Sequence, residues 1–328
     1  MGRATIMRYL IEMGSGMVMG DWELVIIGAG AAGLTAGLYG ARSGLKTLIV
    51  EEKMAGGTTA DAPVIENYPG FISINGQELV KKMVEQCERF GAEIRQLEKV
   101  EKLELDGGKK VVTNRGVYEA SAVIIATGTH HRKLGVPGEE KFSGRGVSYC
   151  VVCDAPFFKD KRVLVVGGGN SAAITALYLS EIASTVKLAH RRGQLRAEEA
   201  LTRELEKKEN VEILWNTEVK EIRGDTLVKE AVLYNNKTDE TWNLEVDGIF
   251  IQVGEAPNSE FAEKAGIRVD EAGYIVVDTR QRTNKEGVYA AGDVTNRPVK
   301  QIGTAVGEGI IAATDAYGYI RRPYYYKK

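Results

Sequence analysis

Two stretches of this 328-residue chain repeat one βαβ pattern, and that repeat constrains the fold more than any other feature. Residues 24–51 read LVIIGAGAAGLTAGLYGARSGLKTLIVE, and residues 163–190 read VLVVGGGNSAAITALYLSEIASTVKLAH. Gly28 and Gly167, Gly30 and Gly169, and Gly33 and Ala172 each lie 139 positions apart. Each copy is an apolar β-branched run, a glycine-rich turn, an amphipathic helix and a second apolar strand. A membrane span competes for the first copy, because 18 uncharged residues separate Glu23 from Arg42, close to the roughly 20 that cross a bilayer. Five glycines (28, 30, 33, 37 and 40) interrupt that run and favour strand, turn and helix. The length fits two domains of about 150 residues, each large enough to bury its own core.

The repeated G-x-G-x-x-G/A has a mechanical reading. The first glycine allows the tight turn, and the second lets backbone N–H groups approach a pyrophosphate. The third position lets helix and strand pack closely. The pyrophosphate then sits at the positive end of the helix. The two second strands end in opposite chemistry. Eighteen residues after Gly33 comes Glu51; eighteen after Ala172 comes His190, followed by Arg191, Arg192 and Arg196. A carboxylate accepts from a free ribose 2′-hydroxyl and repels a 2′-phosphate, so the first site suits FAD or NAD. Guanidinium forks pair with phosphate, so the second suits NADPH over NADH; a solvated basic surface is the competing reading.

Charge excludes some functions. Lys and Arg number 43 against 45 Asp and Glu, a net −2, which argues against a nucleic-acid binder or a polybasic membrane-surface protein. Glycine is in surplus, 38 residues, as in chains with many tight turns and close approaches to ligands. Three cysteines exclude a disulfide-rich scaffold, but Cys150 and Cys153 form a C-x-x-C followed by Asp154. Such a pair can close a small ring and exchange with another disulfide. Zinc needs four ligands, and Cys87 with His130, His131 and His190 offers no second metal-type spacing. Two inert thiols are the other competing reading. Asp154 could move a proton as a thiolate leaves or attacks, or could serve as a turn residue before Pro156. Cys87, on an apolar helical face, reads as core.

The remaining organisation is coarser. A helix is expected over 78–90, an antiparallel meander over 93–126, and a second β-rich stretch over 211–253. A glycine-rich segment over 290–309 should precede a last helix over 310–319. Residues 1–20 read as an extension without a signal peptide's apolar core, and 321–328 as a basic, aromatic, solvated tail. The chain reads as soluble and cytoplasmic.

These motifs together resemble the low-molecular-weight NADPH-dependent thioredoxin reductases of the pyridine nucleotide-disulfide oxidoreductase family, from about Asp21 to Tyr319. The resemblance is carried by GAGAAG at 28–33, GG at 56–57, ENYPG at 66–70, ATG at 126–128 and GRGVSYCVVCD at 144–154. GGGNSA at 167–172, HRRGQLR at 190–196 and AAGDV at 290–294 complete it. It implies an α/β fold of two Rossmann-like dinucleotide-binding domains of the three-layer ββα type, the nucleotide domain inserted in the flavin domain. Residues 21–132 and 259–328 would form the FAD domain, and 133–258 the NADPH domain carrying the C-x-x-C. FAD would be met by Gly28, Gly30, Gly33, Glu51, Gly57, Thr58, Asn67, Thr127, Gly128, Gly292, Asp293, Gln301 and Ile302. NADPH would be met by Gly167, Gly169, Asn170, Ser171, Ala172, His190, Arg191, Arg192 and Arg196. No metal is implied.

The resemblance further implies electron flow from NADPH to FAD, to Cys150–Cys153 and on to the disulfide of thioredoxin, by a homodimer. Cys153 would face the flavin, Cys150 would attack the partner disulfide, and Asp154 would be the acid–base group. The glutathione-reductase-like branch, with its cysteine pair on the first flavin helix, is excluded, because residues 56–60 contain none. Thr58 stands where the family usually has Gln, and Ala155-Pro156 follows Asp154 where Gly is frequent. A related flavoprotein serving a glutaredoxin-like protein, a peroxide-reducing system or a small-molecule dithiol is the alternative. A peroxiredoxin reductase with its own N-terminal thioredoxin-like domains is not expected, since about 20 residues precede the first βαβ unit. Cys153 and Gly167 are only 14 residues apart, so dithiol and nicotinamide site share a domain, and both must address one flavin. A swing of that domain is therefore expected, with hinges near 131–134 and 254–258.

Overall fold

A computed structural model describes residues 18–62 and 64–322. Two compact units emerge, one running to Thr129 and resuming at Pro257, the other from His130 to Ala256. From the sequence the junctions were placed at 132/133 and 258/259. Most of the expected extension and tail falls outside the described residues, but Val18–Gly20 already belong to the first strand.

The first unit is built on a seven-stranded sheet. Strand β1 (Val18–Ile27), helix α1 (Ala31–Arg42) and strand β2 (Thr47–Val50) form the first βαβ repeat. Helix α2 (Gly76–Arg89) follows, capped by the Asn75 side chain on the Gln77 N–H. It leads to β3 (Glu93–Arg95), β4 (Val100–Glu104), β5 (Lys109–Thr113) and β6 (Val117–Ile125). The expected meander over 93–126 is correct only in part. β4, β5 and β6 are antiparallel neighbours, whereas β3 pairs parallel with β2 and β6 pairs parallel with β1. The three residues of β3 are too few for alternation to reveal a partner, and β6 serves two neighbours on its other side. Its first half meets β5 and its second half meets β17 (Val288–Ala290).

Burial explains the unbroken apolar runs. Leu24 and Ile26 lie in one core cluster and Val25 and Ile27 in another, as do Ala122 and Ile124 against Val123 and Ile125. Alternate residues of a strand point to opposite faces, so both faces of this sheet are covered. The last helix, called α5 here, spans Ile302–Arg321 and begins eight residues before the expected start. One of its glycines has a packing reason rather than a loop reason. A Cβ on Gly309 would lie 2.4 Å from the Ala32 carbonyl oxygen, so α5 approaches α1 backbone to backbone. A reciprocal capping box between Gln301 and Thr304 starts the helix.

In the second unit the repeat recurs as β9 (Arg162–Gly167), α3 (Asn170–Ser180) and β10 (Thr185–His190). These strands sit in a five-stranded parallel sheet with β8 (Val147–Ser148), β11 (Val211–Trp215) and β15 (Gly248–Gln252). Helix α4 (Glu199–Glu206) lies between β10 and β11. A three-stranded antiparallel sheet, β12 (Thr217–Gly224), β13 (Val228–Asn235) and β14 (Thr241–Glu245), completes the β-rich stretch. Val163 and Val165 face one cluster, Leu164 and Val166 the other. The connecting segments pair with each other as β7 (Thr129–His131) and β16 (Glu255–Pro257). No helix among the described residues is long and apolar enough to cross a membrane.

Candidate functional site

The glycine loop of the first unit is tight for measurable reasons. A Cβ on Gly28, whose φ is +104°, would fall 2.3 Å from the Ala126 carbonyl oxygen, and one on Gly33 would fall 1.9 Å from that of Gly28. Gly30, the N-cap of α1, faces open space and has no side-chain cap, which leaves N–H groups of the first turn for an incoming anion. Glu51 closes the loop from β2. Its two carboxylate oxygens accept the N–H groups of Ala29 (2.7 Å) and Lys53 (2.8 Å). The carboxylate is thereby held beside the loop, where a ribose hydroxyl would be met.

Distant segments converge there. Gly56 donates to the Ala29 carbonyl (2.8 Å), and a Cβ on Gly57 would lie 3.3 Å from the Gly30 Cα. Gly292 packs on Ala32, and Asn67 donates through Nδ2 to Gln301 Oε1 (3.1 Å), although 234 positions separate them. Thr58 and Gln301 are exposed, while Ile302 and Asp293 are half-buried. The Asp293 carbonyl accepts from Lys300 Nζ (3.1 Å). Gly128 has φ +61° and open space around it. Thr127 is differently engaged. Its hydroxyl donates to the Asn258 carbonyl (2.7 Å) and its own carbonyl accepts Asn258 Nδ2 (2.9 Å), so it ties together the two crossings of the chain.

Sequence reasoning missed Glu308. It is buried in α5, and one carboxylate oxygen accepts the Gly292 N–H (2.7 Å), with the Thr295 hydroxyl at 3.4 Å. Burial pushes its carboxyl above the ordinary carboxylate range. The only sequence signal was a lone charge between Gly307 and Gly309. Glu308→Ala removes the acceptor of a buried N–H, which costs about 1–3 kcal/mol, and should lower the melting temperature. Glu308→Gln keeps an acceptor and should stay near wild type. Equal melting curves for all three would contradict this role.

The second loop repeats the first with another rim. A Cβ on Gly167 would meet the Gln252 carbonyl at 2.2 Å, while Gly169, the N-cap of α3, faces open space. Ser171 is exposed on the first turn of α3, and Ala172 is buried beneath it. Gly168 is required as well, because a Cβ there would sit 2.1 Å from the His190 ring. His190 is buried, with Nε2 3.0 Å from the Gln194 carbonyl, and burial lowers its pKa. It therefore shapes the loop from within. Arg196 N–H donates to the Gly168 carbonyl (2.6 Å), and Asn170 and Glu198 exchange two hydrogen bonds (2.7 and 2.8 Å). The Arg191 carbonyl accepts Asn236 Nδ2 (2.9 Å) and the Arg192 carbonyl accepts the Asn216 N–H (3.2 Å). The backbone of 190–198 is thus pinned, while the guanidinium groups of Arg191, Arg192 and Arg196 are exposed and form no hydrogen bond or ion pair with a described residue. Three exposed guanidinium groups on a fixed loop could take an anion.

Cys150 and Cys153 form a disulfide with Cα atoms 5.4 Å apart. Cys150 is the N-cap of the one-turn helix Val151–Asp154, and its sulfur accepts the Cys153 N–H (3.2 Å). Cys153 is exposed, and Asp154 directly follows it, half-buried.

Residues 22–309 match the family described as pyridine nucleotide-disulphide oxidoreductase. The chain is 42% identical over 301 residues to the thioredoxin reductase of Treponema pallidum, covering 92% of this chain and 97% of that one. It is 44% identical to the thioredoxin reductase of Bacillus subtilis, covering 91% and 95%. Among solved structures, Lactococcus lactis thioredoxin reductase superposes with a TM-score of 0.89 at 44% identity, covering 91% of this chain and 99% of that one. Two glycine loops with a Cys-x-x-Cys disulfide in the second unit, and these relatives along nearly the whole chain, give one conclusion: the chain belongs to the pyridine nucleotide-disulphide oxidoreductase family.

Proposed function

We propose that the chain is an NADPH-dependent, FAD-containing disulfide reductase whose partner is thioredoxin or a thioredoxin-like protein. The observation that carries this reading is a Cys-x-x-Cys disulfide in the same unit as a dinucleotide loop edged by three exposed guanidinium groups. The first loop fits FAD, since Gly30 leaves room for a pyrophosphate, the N–H groups of α1 have no side-chain cap, and Glu51 offers a carboxylate rim. Gly28, Gly33, Gly57, Thr58, Asn67, Gly128, Gly292, Asp293, Gln301 and Ile302 would complete that site. When bound, FAD would supply two-electron chemistry between nicotinamide and disulfide.

The chain's own residues supply the rest. Arg191, Arg192 and Arg196 would hold the 2′-phosphate of NADPH, and Gly169 with the first turn of α3 its pyrophosphate. After two-electron reduction of Cys150–Cys153, the Cys150 thiolate attacks one sulfur of the thioredoxin disulfide and releases the other as a thiolate. Cys153 then displaces thioredoxin's attacked sulfur, which restores the Cys150–Cys153 bond. Asp154 would pass a proton to or from these sulfurs. The reading includes a swing of the second unit about the paired segments 129–131 and 255–257, a homodimer, and action in the cytoplasm, where thiol cycling is sustained.

Purification with FAD should give a yellow protein that oxidises NADPH only when oxidised thioredoxin is added, and a cross-link between the two connecting segments should slow that turnover. A colourless protein inert to NADPH would end the reading. Turnover with a small disulfide but none with thioredoxin would reassign the partner.

A further inference from the structure

We propose that Tyr149 and Glu139 are positioning residues for the redox disulfide, transmitting the conformation of the connecting segments to Cys150; this rests on the redox role proposed above. Glu139 is only 2% exposed, and a buried carboxylate persists only where donors compensate it. It has three. The Leu134 N–H donates to Oε1 (2.8 Å), the Gly135 N–H to Oε2 (2.7 Å), and the Tyr149 hydroxyl to Oε1 (2.6 Å). Two donors belong to the backbone just after the first connecting segment; the third belongs to the residue before Cys150.

Tyr149 is also touched from the first connecting segment and from the strand that leads into the second. Its ring stacks on His131 with centroids 6.1 Å apart and planes at 21°. Its carbonyl accepts Gln252 Nε2 (3.0 Å), from the last residue of β15 and three positions before Glu255. Beyond Tyr149, both backbone polar groups of Cys150 are held by Ser148. Its N–H donates to the Ser148 hydroxyl (3.1 Å), and that buried hydroxyl donates to the Cys150 carbonyl (3.1 Å). Burial and the Glu139 carboxylate raise the Tyr149 pKa, so the phenol stays a donor. Nothing in disulfide exchange calls for a tyrosine at this place. A rearrangement of residues 131–135 or 252–255 must either carry Tyr149 along or break its bonds to Glu139 and Gln252.

Tyr149→Phe removes one hydroxyl and keeps the ring on His131. In stopped flow, NADPH-driven loss of flavin absorbance should stay within about twofold of wild type. The kcat with thioredoxin should fall about five- to twentyfold, with KM within about twofold. In a Glu139→Gln background the same change should have under about twofold further effect, because the two groups act as one unit. A Tyr149→Phe enzyme with wild-type kcat would overturn the proposal. So would parallel loss of flavin reduction and turnover, the mark of a purely structural defect. If Glu139→Gln does not fold, His131→Ala is the second variant; it should lower kcat in the same direction, and an unchanged kcat would count against the proposal. A wild-type protein that NADPH cannot reduce would instead remove the function on which the proposal rests.

Discussion

Cys150→Ser is expected to lower thioredoxin reduction by at least about a thousandfold while NADPH still bleaches the flavin at close to the wild-type rate. The reason is chemical. A serine hydroxyl forms no disulfide, so loss of one sulfur removes the covalent route instead of weakening it. No other cysteine can substitute. Cys87 is fully buried, its Sγ donates to the Leu34 carbonyl at 2.9 Å, and burial raises its pKa to about 12. It therefore carries almost no thiolate at neutral pH. Cys153→Ser separates the two roles. It leaves the Cys150 thiolate able to attack and removes the resolving sulfur, so a covalent complex with thioredoxin should accumulate on a non-reducing gel. Should Cys150→Ser be the variant that traps the complex, the two roles are reversed.

The parts of this arrangement that were legible in the sequence are those with a local cause. β1–α1 and β9–α3 declare themselves because a glycine turn between an apolar run and a helix is a short-range pattern, and its reason is visible where Gly28 and Gly167 press on carbonyl oxygens. The C-x-x-C is equally local. β3 and the start of α5 were misread because their causes are distant. β3 is fixed by its partner β2, and Gly309 of α5 serves contact with α1. The same distance hid Glu308 beneath Gly292, Asn67 against Gln301, and Glu139 against Tyr149. Each is an ordinary polar residue until tertiary structure buries it or supplies a partner. His190 shows the limit within a motif. Its position 18 residues after Ala172 points to the ligand rim, and its ring also packs against Gly168, a contact the motif spacing does not show.

Its neighbours Arg191 and Arg192 carry the second large prediction. Arg191→Ala with Arg192→Ala should raise the KM for NADPH about a hundredfold and leave the KM for NADH within about threefold. A charge-assisted hydrogen bond contributes about 1.5–3 kcal/mol. Both guanidinium groups are exposed, so the lower figure applies to each, and about 3 kcal/mol for the pair corresponds to roughly two decades in affinity. NADH has no 2′-phosphate and loses nothing by the change. The pinned backbone of residues 190–198 makes the experiment clean, because the side chains removed support none of the hydrogen bonds that hold the loop. Lysine at both positions keeps the charge but not the planar fork, so it should fall between wild type and the alanine pair. Salt supplies an independent check. Rising ionic strength should weaken NADPH binding more steeply in the wild type than in the alanine pair, which keeps Arg196 alone of the three exposed guanidinium groups. An unchanged preference for NADPH over NADH in the alanine pair would show that the phosphate is held elsewhere, with Arg196 the remaining exposed guanidinium of the three on that rim.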